Sequence, residues 1–184
     1  TPLHRSTEPA MELQSQKPIT SFTLVIPAHN EEATIEATVQ SLVIASQKAE
    51  KFCKVKIVAI LDGCTDGTQS KLEYWKSLYP SLIDIKINRL SEGKWTVLTK
   101  ALAESSTDWT GFIDCGAIWK SPLLELVSQV IDNNPCLIGV APSYMPNKPA
   151  FIERTVWQLE SFIKSNESRN DGPVSVHGAT VFYR

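Results

Sequence analysis

Short apolar, β-rich runs alternate along this chain with stretches of helical periodicity, and that rhythm restricts the fold more than any other feature. Phe22-Thr-Leu-Val-Ile26, Val55-Lys-Ile-Val-Ala-Ile-Leu61, Leu82-Ile-Asp-Ile-Lys-Ile87, Trp109-Thr-Gly-Phe-Ile113 and Cys136-Leu-Ile-Gly-Val-Ala141 read as strands. Between them, Ile35, Val39, Leu42 and Val43 share one helical face, 68–78 reads as a helix ended by Pro80, and 94–104 reads as another. Pro122 suits the first turn of a further helix through about 132. Asn30 is expected to cap the first helix, with Glu31 and Glu32 at its positive end. Parallel strands need a crossover, and a helix supplies it, so the pattern predicts a three-layer α/β domain with a mostly parallel central sheet. After Pro149 the rhythm changes to a longer helix over about 151–168, a loop, and a final strand over 174–183.

Three of the strands run directly into polar residues: Val25-Ile-Pro-Ala-His-Asn-Glu-Glu32, Ile60-Leu-Asp-Gly-Cys-Thr-Asp-Gly-Thr68 and Gly111-Phe-Ile-Asp-Cys-Gly116. In an open parallel sheet the carboxyl ends of the strands line one edge, and ligands bind in the crevice there. Asp62 and Asp114 are therefore expected to face one ligand. Pro27 removes a backbone donor at its strand end, after which the chain turns through Ala28 and His29. Asp62 can accept from a base N–H or a ribose hydroxyl, whereas Asp66, before Gly67 and Thr68, reads as a cap or turn residue. Lys94 follows Gly93 on a loop entering a helix, where an ammonium could neutralise a diphosphate.

These segments, in this order and spacing, resemble glycosyltransferase family 2 from about Thr23 to Arg184. Residues 25–32 resemble the family's opening strand and turn, 61–68 its second-strand aspartate motif, and Glu92-Gly-Lys94 with Ala101-Leu102 its basic loop and following helix. The resemblance implies a GT-A (Rossmann-like) fold and transfer of a hexosyl or N-acetylhexosaminyl group from a nucleoside-diphosphate sugar, possible UDP-linked donors included, to a hydroxyl acceptor in polysaccharide or glycoconjugate synthesis. It implies that Pro27, Ala28, His29, Glu31, Asp62, Lys94, Asp114 and Cys115 bind the nucleotide-sugar, with Asp62 favoured for the base. It also implies Mg²⁺ or Mn²⁺ held by Asp114, which reconciles a carboxylate with a phosphate that would otherwise repel it by about 4 kcal/mol at 4 Å. Two departures stand out: Leu61 precedes Asp62 where many relatives carry an acid, and Gly116 replaces the second acid of the metal motif. The region from Val156 resembles the start of an acceptor side in polysaccharide-synthase-like members, with Glu160, Glu167 and His177 as candidates. The catalytic base of inverting relatives is expected beyond Arg184, so no catalytic residue is assigned. A catalytically impaired nucleotide-sugar-binding or scaffold domain is the alternative that Leu61 and Gly116 support.

The 184 residues carry a net charge of −2, so no global positive field holds a polyanion, and nucleic acid is not an expected partner. Cys53, Cys64, Cys115 and Cys136 form no Cys-x-x-Cys pair and predict neither zinc nor a disulfide framework. No run approaches the roughly 18 apolar residues of a membrane span, and no signal-peptide pattern opens the chain. A cytoplasmic location is expected, at a membrane face only through segments outside this chain. Residues 1–20, polar with three prolines, read as a flexible tail, and 21–184 as the nucleotide-sugar-binding domain, ending before the expected acceptor and base motif.

Overall fold

In the computed structural model, residues 20–143 and 179–184 are described. They form β1 (Thr20–Ala28), α1 (Ile35–Ala49), β2 (Cys53–Asp62), α2 (Thr68–Leu78), β3 (Ile83–Asn88), α3 (Lys94–Glu104), β4 (Trp109–Ile113), α4 (Leu123–Asn133), β5 (Gly139–Val140) and β6 (Thr180–Tyr183). The six strands make one sheet in the order β3-β2-β1-β4-β6-β5. β3, β2, β1 and β4 run parallel, while β6 lies antiparallel to β4 and β5 antiparallel to β6. The three-layer α/β fold follows from how the strands divide their side chains. Phe22, Leu24, Ile26 and Ala28 of β1 pack with Ile57, Ala59 and Leu61 of β2 and with α1, α2 and α4 on one face. The alternate residues Val25, Val58 and Ile60 meet Val97 and Ala101 of α3 on the other.

The bounds of α2, α3 and β4 agree with the sequence expectation, because each is closed by a local signal such as Pro80 or Gly93. The start of α1 does not. Asn30 adopts φ +55° and does not cap the helix; its Oδ1 accepts hydrogen bonds from Thr65 N (2.8 Å) and Thr65 Oγ1 (3.3 Å) across the neighbouring loop. Glu31 and Glu32 therefore sit in a turn, and α1 opens only at Ile35. Asp66 does act as a turn residue, its Oδ1 accepting from Thr68 N (3.0 Å) and its Oδ2 from Glu32 N (3.0 Å). The expected tail overlaps β1 by one residue, Thr20, and its remainder lies outside the described residues, as does the helix expected over 151–168. Among the described residues, no helix is long and apolar enough to cross a membrane.

The sequence pattern predicts a final strand over 174–183 without assigning it a place in the sheet; β6 inserts between β4 and β5. Phe182 explains the placement. Its ring is fully buried and packs edge-on to Phe22 at 5.8 Å between centroids and beside Trp119 at 5.7 Å. Gly111 makes room for it: a Cβ there would come within 2.8 Å of the Phe182 ring. Trp119 Nε1 donates to Thr180 Oγ1 (2.9 Å) and Trp119 N to Ser41 Oγ (3.1 Å), tying the segment after β4 to both β6 and α1.

Two expected outcomes follow. Phe182→Ala should lower unfolding free energy by about 3–5 kcal/mol, measured in urea, because the cavity it leaves is bounded by sheet and Trp119. Acid should weaken the fold with a defined sign. Ser21 Oγ and N donate to Asp108 (2.6 and 2.8 Å), and Lys76 pairs with Asp84 (3.1 Å), so both carboxyls are held below the ordinary 3.8. Their contribution is complete above 3.8 and is lost as pH falls through the lower folded-state values. Urea stability should thus fall between pH 5 and pH 2, and a curve flat over that interval contradicts the assignment.

Candidate functional site

β1, β2 and β4 end at the same sheet edge, and the residues that follow them surround one cavity of about 230 Å³. Pro27, Ala28, His29, Glu31, Asp62, Lys94, Val97, Asp114 and Cys115 line it. Every nucleotide-sugar candidate from the sequence thus lies on this wall; Val97 is the addition, a buried α3 residue that the sequence pattern does not single out. Glu160, Glu167 and His177 lie outside the described residues. The volume falls below the roughly 300–1,000 Å³ of small-molecule pockets, so a nucleoside diphosphate would rest partly in the open cleft.

The first wall is the β1 turn. Cys64 Sγ contacts the Ala28 carbonyl (3.2 Å) and Cys115 Sγ the Pro27 carbonyl (3.5 Å), which fastens this turn to both neighbouring strand ends. His29 Nδ1 lies 2.5 Å from the Asp62 carbonyl oxygen. A carbonyl can only accept, so Nδ1 carries a proton and donates it to this oxygen. Glu31 is held by Thr34 Oγ1, which donates to its Oε2 (2.6 Å), and by Thr68 Oγ1, which accepts from its N–H (2.8 Å).

Asp62, the last residue of β2, is only 4 % exposed. Its carboxylate accepts from Asn88 Nδ2 (3.2 Å), Ser91 Oγ (2.8 Å), Glu92 N (2.9 Å) and Gly93 N (3.0 Å). Burial pushes its pKa up, but these donors together outweigh burial and hold it below the ordinary value. In the free chain its lone pairs are taken by the β3–α3 loop, whose donors Ser91, Glu92 and Gly93 are themselves exposed.

Asp114 and Lys94 form the opposite wall. Lys94 Nζ donates to Asp114 Oδ1 at 2.6 Å, with both side chains about half exposed. Asp114 is fixed through its backbone, its N–H donating to the Ala179 carbonyl (2.9 Å) and its carbonyl accepting from Ala117 N (3.0 Å). Gly116 has φ +89°, and its N–H donates to Thr38 Oγ1 (2.8 Å). Cys115 stays a neutral thiol: burial first, then the charges of Glu31 and Asp114, push it up to about 12. α3 opens beside Lys94 with no side-chain cap, leaving its first N–H groups and positive dipole end at the cavity.

A divalent ion fits this donor set only in part. Among the described residues no group of three or more His, Cys, Asp or Glu could hold a metal. Asp114 offers one carboxylate, already shared with Lys94, while Cys115 is protonated and Gly116 offers nothing. One carboxylate plus phosphate oxygens and waters is nevertheless a common Mg²⁺ environment. The set therefore fits an ion completed by a bound diphosphate, not one held by the protein alone.

Comparison with known proteins accords with this architecture. Among curated proteins, none matches this sequence. Among solved structures, the chain resembles the mannosyltransferase PcManGT from Pyrobaculum calidifontis in complex with GDP-Man and Mn²⁺, at TM-score 0.72 and 20% identity, covering 88% of this chain and 44% of that one. It also resembles S. aureus TarS 1-349 in complex with UDP (TM-score 0.60, 16% identity, 71% and 38% covered). Glucosyl-3-phosphoglycerate synthase from Mycobacterium tuberculosis in complex with UDP is a third (TM-score 0.57, 19% identity, 98% and 62% covered). At these identities the likeness is one of fold, and the chain spans less than two thirds of each of these proteins. In sequence, the glycosyl transferase family 2 pattern matches residues 23–184, which is most of the chain. On that match over most of its length, the chain belongs to glycosyl transferase family 2.

Proposed function

We propose that this chain binds a nucleoside-diphosphate sugar at the β1–β2–β4 edge and serves the transfer of its glycosyl group to a hydroxyl acceptor. The convergence of Pro27 to Glu31, Asp62, Lys94 and Asp114 on one cavity, in a family 2 chain, carries this reading. UDP and GDP sugars are the donors to test, since the structural relatives include proteins complexed with UDP and with GDP-Man. A hexosyl or N-acetylhexosaminyl group, and a role in polysaccharide or glycoconjugate synthesis at the cytoplasmic side, remain parts of this proposal.

The residues divide the work by chemistry. The Pro27–Ala28–His29 turn flanks the nucleoside, with the His29 ring oriented by its Nδ1 bond to the Asp62 carbonyl. Lys94 supplies a mobile positive charge beside uncapped α3 N–H groups, a combination suited to a diphosphate. In the free protein that charge is spent on Asp114. A diphosphate recruits Nζ to its own oxygens, and the freed Asp114 then repels it unless a cation intervenes. Asp114 would hold a Mg²⁺ or Mn²⁺ ion, which when bound neutralises the departing diphosphate. Transfer breaks the bond between the anomeric carbon and the diphosphate oxygen and forms one to the acceptor oxygen, whose proton passes to a base not among the described residues.

A second reading, a donor-binding domain impaired in catalysis, is favoured by Gly116. Its φ of +89° suits glycine, so the loop is built for a residue other than the expected acid.

Isothermal titration with UDP and GDP, each with and without Mn²⁺, should show binding of at least one that Mn²⁺ strengthens; no binding under any condition overturns the proposal. Lys94→Met should weaken the bound diphosphate by about tenfold while sparing the nucleoside, and Asp114→Asn should remove the Mn²⁺ enhancement. Gly116→Asp should cost roughly 1–2 kcal/mol of stability for its left-handed backbone yet increase Mn²⁺-dependent affinity. An unaltered metal response in that variant favours the second reading.

A further inference from the structure

Leu90 and Trp95 are each 82 % exposed, the most of any large apolar side chain among the described residues. Both sit where β3 passes into α3, and neither joins the apolar cluster on either face of the sheet. Their exposure is built in, because the residues between them are held. Ser91 Oγ (2.8 Å), Glu92 N (2.9 Å) and Gly93 N (3.0 Å) donate to the Asp62 carboxylate, and Gly63 N donates to the Asn88 carbonyl (2.9 Å). Gly63, at φ +67°, admits this close approach: a Cβ there would stand 2.7 Å from Ser91 N. The centre of the turn is drawn against the end of β2. Leu90 before it and Trp95 after it stay in water, and the free chain forgoes the hydrophobic free energy of burying them.

β3 is an outer strand of the sheet, so this link occupies a corner of the domain, at the edge where β1, β2 and β4 open onto the cavity. A corner can meet a flat surface that a recessed loop cannot. Its charges are mostly basic: between 86 and 100 stand Lys86, Arg89, Lys94 and Lys100 against one acid, Glu92, in a chain whose net charge is −2. Both Glu92 oxygens accept from Lys100 Nζ (2.8 and 2.7 Å), Lys86 pairs with Glu104, and Lys94 pairs with Asp114 (2.6 Å). Arg89 is exposed and pairs with no acid among the described residues.

Leucine, tryptophan and arginine at one tip make different demands on a partner. A polyanion in water would take the cation and leave Leu90 wet, and an apolar protein face would take Leu90 and Trp95 while stripping water from Arg89. A bilayer with anionic headgroups meets all three: its acyl boundary receives the leucine, its headgroup layer suits the indole ring, and its phosphates accept from the guanidinium. We infer that the link from Arg89 to Trp95 is a membrane-contact surface, on which Leu90 and Trp95 enter the interface of an anionic bilayer and Arg89 binds its phosphates. Two apolar anchors with a basic surround are the two signals that a reversible attachment needs. Lys94 lies beside Trp95 and lines the cavity, so contact holds the cavity rim at the lipid surface. The inference needs no nucleotide and does not rest on the donor-site proposal.

Cosedimentation of the whole chain with sucrose-loaded vesicles, without nucleotide, tests it. The chain should bind an equal mixture of phosphatidylcholine and phosphatidylglycerol at millimolar lipid, and bind phosphatidylcholine alone at least about fivefold more weakly. No binding to the mixed vesicles overturns the inference. Leu90→Ser with Trp95→Ser should weaken binding at least about tenfold, and Arg89→Gln about fivefold on the mixed vesicles; unchanged affinity in either variant overturns it. Ile138→Ser removes an 80 % exposed side chain just before β5, the other outer strand, and should leave binding within about twofold. An equal loss there means unspecific apolar adhesion and overturns the inference. Lipids brominated along the acyl chain should quench wild-type tryptophan fluorescence, and Trp95→Phe, which keeps an aromatic anchor, should abolish the quenching while binding persists. Quenching that survives in Trp95→Phe puts another tryptophan in the bilayer and overturns the inference. So does a wild-type dimer in sedimentation velocity that Leu90→Ser with Trp95→Ser converts to monomer, since the surface then serves a second copy of the chain.

Discussion

A carboxylate removed from water stays ionised only where donors surround it, and the end of β2 is organised around that requirement. Asp62 is nearly inaccessible, and its donors come from a segment that begins at Asn88 and ends at Gly93. Satisfying the carboxylate fixes the entry to α3, and the entry to α3 fixes where Lys94 and the helix N-terminus stand. The opposite wall then follows from reach, since Asp114 lies within hydrogen-bond distance of the same lysine. Sheet, loop and site form one connected arrangement because the register of β2 against β3 places the carboxylate opposite the first of its donors.

The charge balance explains why this arrangement suits an anion that arrives with a cation. Glu31, Asp62 and Asp114 bring three carboxylates to the cavity and Lys94 brings one ammonium. Asp62 is compensated by hydrogen bonds, and Asp114 by Lys94 in the free protein. An exposed pair of this kind adds little to stability, so exchanging Lys94 from Asp114 to a diphosphate costs the fold little. What the exchange leaves is an uncompensated Asp114 beside new negative charge. A single carboxylate completed by phosphate oxygens is a weak site for an ion by itself and an adequate one once the diphosphate is present.

Much of this was legible in the sequence, for reasons that are local. Strand ends announce themselves where apolar runs stop at Pro27, Asp62 and Asp114, and parallel connectivity then gathers them at one edge. Pro80 and Gly93 bound α2 and α3 by backbone restriction alone. What escaped depends on partners distant in the chain. Asn30 has the composition of a cap, but its side chain is claimed by Thr65, 35 residues on, which delays α1 to Ile35. The partners of Asp62 lie 26 to 31 residues downstream, in a segment the sequence marks for the charge of Lys94 and not for contact with β2. The insertion of β6 between β4 and β5 is decided by Phe182 filling the space over Gly111, a fit between side chains that no periodicity encodes.

Gly116 shows how a departure from a family pattern can be read physically. A Cβ at this position would meet nothing closer than Thr34 Cγ2 at 4.0 Å, so space does not exclude a larger residue. The backbone does select against one: φ of +89° is a conformation that glycine enters freely and L-residues enter with strain. The same peptide donates to Thr38 Oγ1 on α1, so relaxing the strain by rotation would sacrifice a part-buried hydrogen bond. The absent acid and the turn are therefore coupled, and the turn is held from both sides, by Thr38 before Trp119 and by Ala179 behind Asp114. A loop whose shape and sequence agree at Gly116 leaves Asp114 as the carboxylate at this wall, and makes its neutralisation by Lys94 or by a cation the central electrostatic choice of the site.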